Sequence, residues 1–138
     1  MSDSPDQGDT AQLNRPAADA GPQAGAQVVA KAAIRAAAIL DIGPAVLAKV
    51  LGLSRAGSAR LVDGAFELAS FGAPFVRAVL FVRVFTALDT LMGGDEQAAR
   101  SWLRARNFGL RDTPLELMQA PGGLARVALH LEGRLGRV

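Results

Sequence analysis

The sequence predicts an all-α protein in which a helix-turn-helix subdomain and a C-terminal helical subdomain share a long central helix. Three observations carry that prediction. From Val28 onward the apolar residues recur at helical spacing, and no run alternates as a half-buried strand would. Gly, Pro and capping residues divide the chain into helix-length pieces. Half of the 138 residues are apolar while only 5% are aromatic, so Ala, Val and Leu must fill most of the interior.

Residues 1–27 are rich in Asp, Gln, Gly, Pro and Ala, and beyond Met1 their only large apolar side chain is Leu13. Such a stretch buries too little surface to offset its ordering entropy, so a disordered acidic tail is expected over 1–27. Residues 28–72 read as the helix-turn-helix domain. A helix over 28–40 runs into Asp41 and Ile42, and Gly43-Pro44 opens a second over 44–51, where Pro suits the first turn. Gly52 supplies a turn. Ser54 is placed to cap a third helix over 55–62 by accepting a free backbone N–H. Asp63-Gly64 marks its end, unless the chain continues helically through 66–70.

Residues 73–138 read as the central helix and C-terminal domain. Gly72-Ala73-Pro74 opens the longest helix, 74–92, and Gly93-Gly94 ends it. Asp95 caps a helix over 96–105 that contains Trp102, expected as a core anchor. Thr113-Pro114-Leu115-Glu116 combines an N-cap, an N1 proline and an acid in the first turn. Pro121-Gly122-Gly123 closes that short helix, and a last one spans 124–135. The central helix is apolar almost all round, with Phe75, Val79, Val82 and Phe85 near one stripe and Val76, Leu80, Val84, Leu88 and Leu91 on other sides. A helix of this kind needs more than one neighbour. A second copy of the chain can be that neighbour, so a homodimer is expected; a central core helix in a monomer has the same pattern.

Charge and composition exclude several function classes. Without Cys there is no disulfide framework, Cys-ligated zinc or thiol chemistry. A single His and no Tyr leave little acid–base inventory, and no nucleophile, base and orienter stand together, so neither an enzyme nor a cofactor or metal site is expected. No export signal or membrane span is read. The start of the chain is acidic and polar, and Arg77, Arg83 and Asp89 interrupt the most apolar region, which falls short of the ~20 apolar residues a span requires. A cytoplasmic protein is expected. Residues 1–27 carry a charge of −3 and the remaining 111 carry +5, with every basic residue of the latter but Lys31 and Lys49 being Arg. Arg makes forked contacts with phosphate or carboxylate, which suits nucleic acid or an acidic protein pocket as well as a solvated basic face.

The segment from Leu47 to Gly64 fits a helix-turn-helix. Ala48 is the small residue where two helices cross, Gly52 tolerates left-handed geometry, and Leu47, Leu51, Leu53 and Leu61 flank them. Ser54 would start the second helix, presenting Arg55, Ser58 and Arg60 to a major groove, where Arg holds phosphate or guanine. Ser58 lies where such units usually bury an aliphatic side chain, and an ordinary helical hairpin shares the alanine and glycine.

The C-terminal third carries a more specific pattern: Trp102-Leu103, Asn107, Leu110, Thr113-Pro114-Leu115-Glu116-Leu117-Met118, Gly122-Gly123, then Val127, Leu131 and a closing Gly133–Gly136. In order and spacing it resembles the toxin-binding domain of the Xre/MbcA/ParS antitoxins, and the upstream unit resembles the family's Xre-like half, so the resemblance covers roughly 28–138. Arg106 stands where a Pro is common and Asp112 where a Gly is common. The resemblance implies a type II antitoxin whose partner is a NAD-consuming RES-domain toxin, and the ParS branch fits better. In that family the final helix and C-terminus lie over the toxin's NAD cleft, which here maps to about 124–138, with Arg126, His130, Glu132, Arg134, Arg137 and the terminal Val138 available for contacts. A concave cleft built for a pyrophosphate suits a helix that ends in a carboxylate flanked by Arg. The same helix can equally be a docking helix, with Val127, Leu131 and Leu135 covering the core. Operator DNA is the second expected partner, and a stand-alone dimeric helix-turn-helix regulator is the alternative.

Overall fold

Alanine decides how the chain begins. The computed structural model describes residues 21–136, and its first helix, α1, runs Gly21–Ile39, seven residues earlier than the expected start at Val28. Residues 21–27, assigned to the tail, are therefore helical; the rest of the expected tail lies outside the described residues. The cause is a stripe of small side chains that extends upstream of Val28. Ala26, Ala30, Ala33 and Ala37 recur at helical spacing and are all buried, and a proline in the first turn sacrifices no intrahelical hydrogen bond.

The next two helices follow their capping residues. α2, Pro44–Leu51, ends at Gly52 in the left-handed region (φ 66°). There the Leu53 N–H donates to the Ala48 carbonyl (3.0 Å) and the Gly52 N–H to that of Lys49 (3.2 Å), satisfying the last carbonyls of the helix. α3, Arg55–Asp63, starts at Ser54, whose Oγ accepts the Gly57 N–H at 3.2 Å. Gly64, also left-handed, closes it. The chain leaves helical geometry there, so the alternative of a helix through 66–70 does not occur.

α4, Ala73–Leu91, is the central helix. Gly93 and Gly94, both at positive φ, turn the chain into α5, Glu96–Arg104, whose first turn is capped by Asp95 Oδ1 accepting the Ala98 N–H at 3.0 Å. α6, Pro114–Met118, departs from expectation in one respect, because the Thr113 side chain makes no capping bond. Instead the neighbouring Asp112 Oδ1 accepts the Thr113 N–H at 2.7 Å. α7, Gly123–Leu135, ends the described chain. The described residues are thus all-α, seven helices with one isolated bridge between Asn107 and Asp112.

One apolar cluster runs from Ala30 to Leu131 and draws on every helix. α4 is its axis: α1, α2, α5 and α7 all pack on it. α1 contributes mostly alanines to this core, and Phe81 of α4 is the one fully buried aromatic among the described residues. α5 is tied across to α1 by two arginines. Arg100 Nε donates to the Ile39 carbonyl (2.8 Å), and Arg104 donates to the carbonyls of Leu40 (3.1 Å) and Asp41 (2.7 Å). These are the unpaired acceptors at the C-terminal end of α1, where positive charge is also favoured by the helix dipole.

Candidate functional site

Between α5 and α6 the chain builds a tight, internally hydrogen-bonded loop. Within it the Asn107 N–H donates to the Asp112 carbonyl (2.9 Å), and the Arg111 N–H donates to the Asn107 carbonyl (2.7 Å). Asn107 Oδ1 also accepts the Leu110 N–H (3.0 Å). Closing so tight a loop forces Arg111 to φ 62°, an uncommon conformation for a residue with a Cβ. Two anchors hold the loop to the body. Leu110 is buried, and its carbonyl accepts Arg126 Nη2 from α7 at 3.1 Å. Gly109 lies flat on His130, close enough that a Cβ there would stand 2.8 Å from His130 Cε1. His130 in turn stacks on Trp102 of α5, ring centres 6.3 Å apart. The one large apolar side chain of the loop that is not buried, Phe108, is left 99% exposed.

α7 is seated at both ends. At its start Gly123 lies directly against the Leu117 carbonyl of α6, with no room for a side chain. Near its end Glu132 accepts both forks of Arg83 from α4, Nε at 2.9 Å to Oε2 and Nη2 to Oε1. The hydrogen bond from Arg83 holds the Glu132 carboxyl below the usual carboxylate range, and the same bond raises the Arg83 guanidinium. Both side chains are substantially exposed, so the pair orients α7 on α4 more than it stabilises the fold. On the outer face of α7, Leu129 is 67% exposed.

This unit, from the last turns of α4 to the end of α7, coincides with a known family. Residues 87–136 match the antitoxin Xre/MbcA/ParS C-terminal toxin-binding domain. Over those residues the chain is similar to an Xre/MbcA/ParS-type toxin-binding domain. No match is found among curated proteins. Residues 28–86, which the sequence also likens to the Xre-like half of these antitoxins, lie outside the matched region.

Within the toxin-binding domain the structure separates the expected contact residues. Arg126 is engaged in the loop and Glu132 in the pair with Arg83, so both help to build the surface. His130 is half-buried between Trp102 and Gly109. Arg134 is exposed on the last turn of α7, while Arg137 and Val138 lie outside the described residues. Trp102 is half-buried and packs on the core. Two exposed apolar residues of the domain, Phe108 and Leu129, escape a sequence reading. An aromatic in an Asn-Phe-Gly turn is a visible signal for the first; Leu129 falls among the periodic Val and Leu of α7 and has none.

Upstream, the structure sets α2 and α3 on either side of the left-handed turn at Gly52, with Ser54 consumed as the cap of α3. Arg55 and Arg60 are exposed and Ser58 is half-buried. Five residues on one helix differ by about 140° around the axis, so Arg55 and Arg60 face different sides. Arg60 lines a groove with Gln23, Gln27 and Glu67. A further arginine comes from the central helix: Arg77 lies over Gly52, where a Cβ would meet its Nη1 at 2.6 Å. That approach, made across 25 residues of chain, is not readable from the sequence. Phe75, Val79, Val82 and Phe85 are each half-buried on α4, which finds four helical neighbours within its own chain.

Among the described residues no group of three or more His, Cys, Asp or Glu is placed to hold a metal, and no helix is long and apolar enough to cross a membrane.

Proposed function

We propose that this chain is the cytoplasmic antitoxin of a type II toxin–antitoxin pair, neutralising a NAD-consuming RES-domain toxin by occupying its active site with its C-terminal segment, the end of α7 and the residues beyond it. The observation that carries the reading is the match of residues 87–136 to a toxin-binding domain. Its geometry is consistent with steric inhibition. Glu132 and Arg83 fix the direction of α7, Arg134 is exposed on its last turn, and the chain continues past it toward Arg137 and Val138. Inhibition by occupancy requires no chemistry from the antitoxin.

The test is truncation. Val127 and Leu131, which seat α7 on the core, precede the segment, so a chain lacking residues 134–138 is expected to keep its helical content and cooperative melt. Co-expressed with the protein encoded beside it, that chain should restore toxicity and NAD loss. Full inhibition by the truncated chain would refute the block.

The second part of the proposal is autoregulation by a homodimer, with Ser54, Arg55, Ser58 and Arg60 on the DNA side and Phe75, Val79, Val82 and Phe85 at the dimer interface. Exposed guanidiniums on α3 support it, and the divergence of Arg55 from Arg60 suits phosphates on two sides of a groove better than one base. Arg55→Ala with Arg60→Ala is expected to weaken binding to the operon's own promoter. The slope of log K against log salt should fall by roughly 0.9 for each phosphate that the variant no longer neutralises. An unchanged gel shift and slope would remove the DNA role. The alternative, a stand-alone dimeric regulator, shares this surface and differs in having no toxin frame beside it.

A further inference from the structure

We infer that Phe108, in the loop between α5 and α6, and Leu129, on the outer face of α7, form an apolar anchor point for the toxin that is separate from the inhibitory end of the chain. The inference rests on the antitoxin reading and adds a second seat to it. Its ground is the cost of what is displayed. A phenyl ring left 99% exposed and an isobutyl group left 67% exposed forgo the hydrophobic gain that burial of either would bring. The ring is also held out by construction. Asn107 closes the loop with its own backbone and side chain, Arg111 accepts a left-handed conformation, and Leu110 and Gly109 are pinned beneath by Arg126 and His130. Phe108 and Leu129 are each one residue removed from the touching pair Gly109 and His130, so both belong to the same corner of the domain.

A rigid aromatic that loses little conformational freedom on association is the kind of residue that dominates an interface. The occupant is set by two observations. The corner lies inside the region matched to a toxin-binding domain, and Arg106 and Arg111, both exposed, flank the ring. An apolar socket rimmed by carboxylates on the toxin complements that arrangement, with the ring buried centrally and the arginines at the wet edge.

The test measures affinity of the full chain for the protein encoded beside it. Phe108→Ala is expected to raise the Kd by about 30-fold or more, and Phe108→Ala with Leu129→Ala to abolish a stable complex. Phe108→Leu should recover part of the loss. Circular dichroism and thermal melting should not change, since neither side chain is in the core, and Val62→Ala, an exposed apolar residue on α3, should leave the Kd unaltered. If the native chain binds its neighbour and Phe108→Ala binds equally well, the anchor is refuted and the antitoxin reading stands. If the native chain does not bind, both fall. If sedimentation shows self-association that Phe108→Ala abolishes while toxin binding persists, the surface belongs to a second copy and the inference is overturned.

Discussion

Gly123→Ala is expected to destabilise the fold by about 3 kcal/mol or more, because overpacking against backbone has no side-chain rotamer to relax it. A Cβ at this position would stand 1.7 Å from the Leu117 carbonyl oxygen and 2.6 Å from its carbon. Relief requires α7 to lift from α6, which separates Leu117 and Met118 from Leu124 and Val127, all buried. In a chain of this size the melting temperature should drop by on the order of 15 °C in a circular-dichroism melt. The matched control is Gly133→Ala, on the same helix with nothing near its Cβ. That change should be neutral or stabilising by up to about 1 kcal/mol, since it removes a glycine from a helix interior. Equal melting temperatures for the two variants would show that the α6–α7 corner yields freely.

The other large effect is expected at Phe81→Ala, at about 3–5 kcal/mol. The ring is fully buried, and the alanines that α1 contributes to the same core have no side-chain length to collapse into a space. A cavity with short, stiff walls stays open, and its cost adds to the lost transfer energy. A loss of this order is a large share of the roughly 5–15 kcal/mol of a typical domain, so the melting temperature should fall by about 15–25 °C, with a matching loss of the urea midpoint. A loss under about 1.5 kcal/mol would mean that the interior is loosely packed.

What was legible in the sequence was mainly local. Ser54, Asp95, Pro44, Gly52 and the Gly93-Gly94 pair act within a turn of their own positions, and the helices they bound agree with the expected ones to within a residue or two. The start of α1 was missed because Ala26 sits among Gln23, Gly25 and Gln27, where an alanine reads as filler until its burial against another helix is known. Thr113 has the residue type of a cap without the bond, and the adjacent Asp112 carboxylate accepts the N–H of Thr113 itself rather than one from the helix. Side-chain roles in the toxin-binding domain were less visible still. Nothing near Glu132 in the chain announces a partner 49 residues away, and nothing near Arg126 announces the Leu110 carbonyl. Both are expected at the surface from the sequence, and there Arg126 is exposed and Glu132 half-buried, each also holding a bond within the chain.

The two arginine fastenings respond differently to acid. The Arg83–Glu132 link depends on a carboxylate, which a sufficiently low pH neutralises. Arg100 and Arg104 grip main-chain carbonyls instead, acceptors that carry no titratable charge. Acid can therefore weaken the seating of the last helix while the tie between α5 and the end of α1 stays in place.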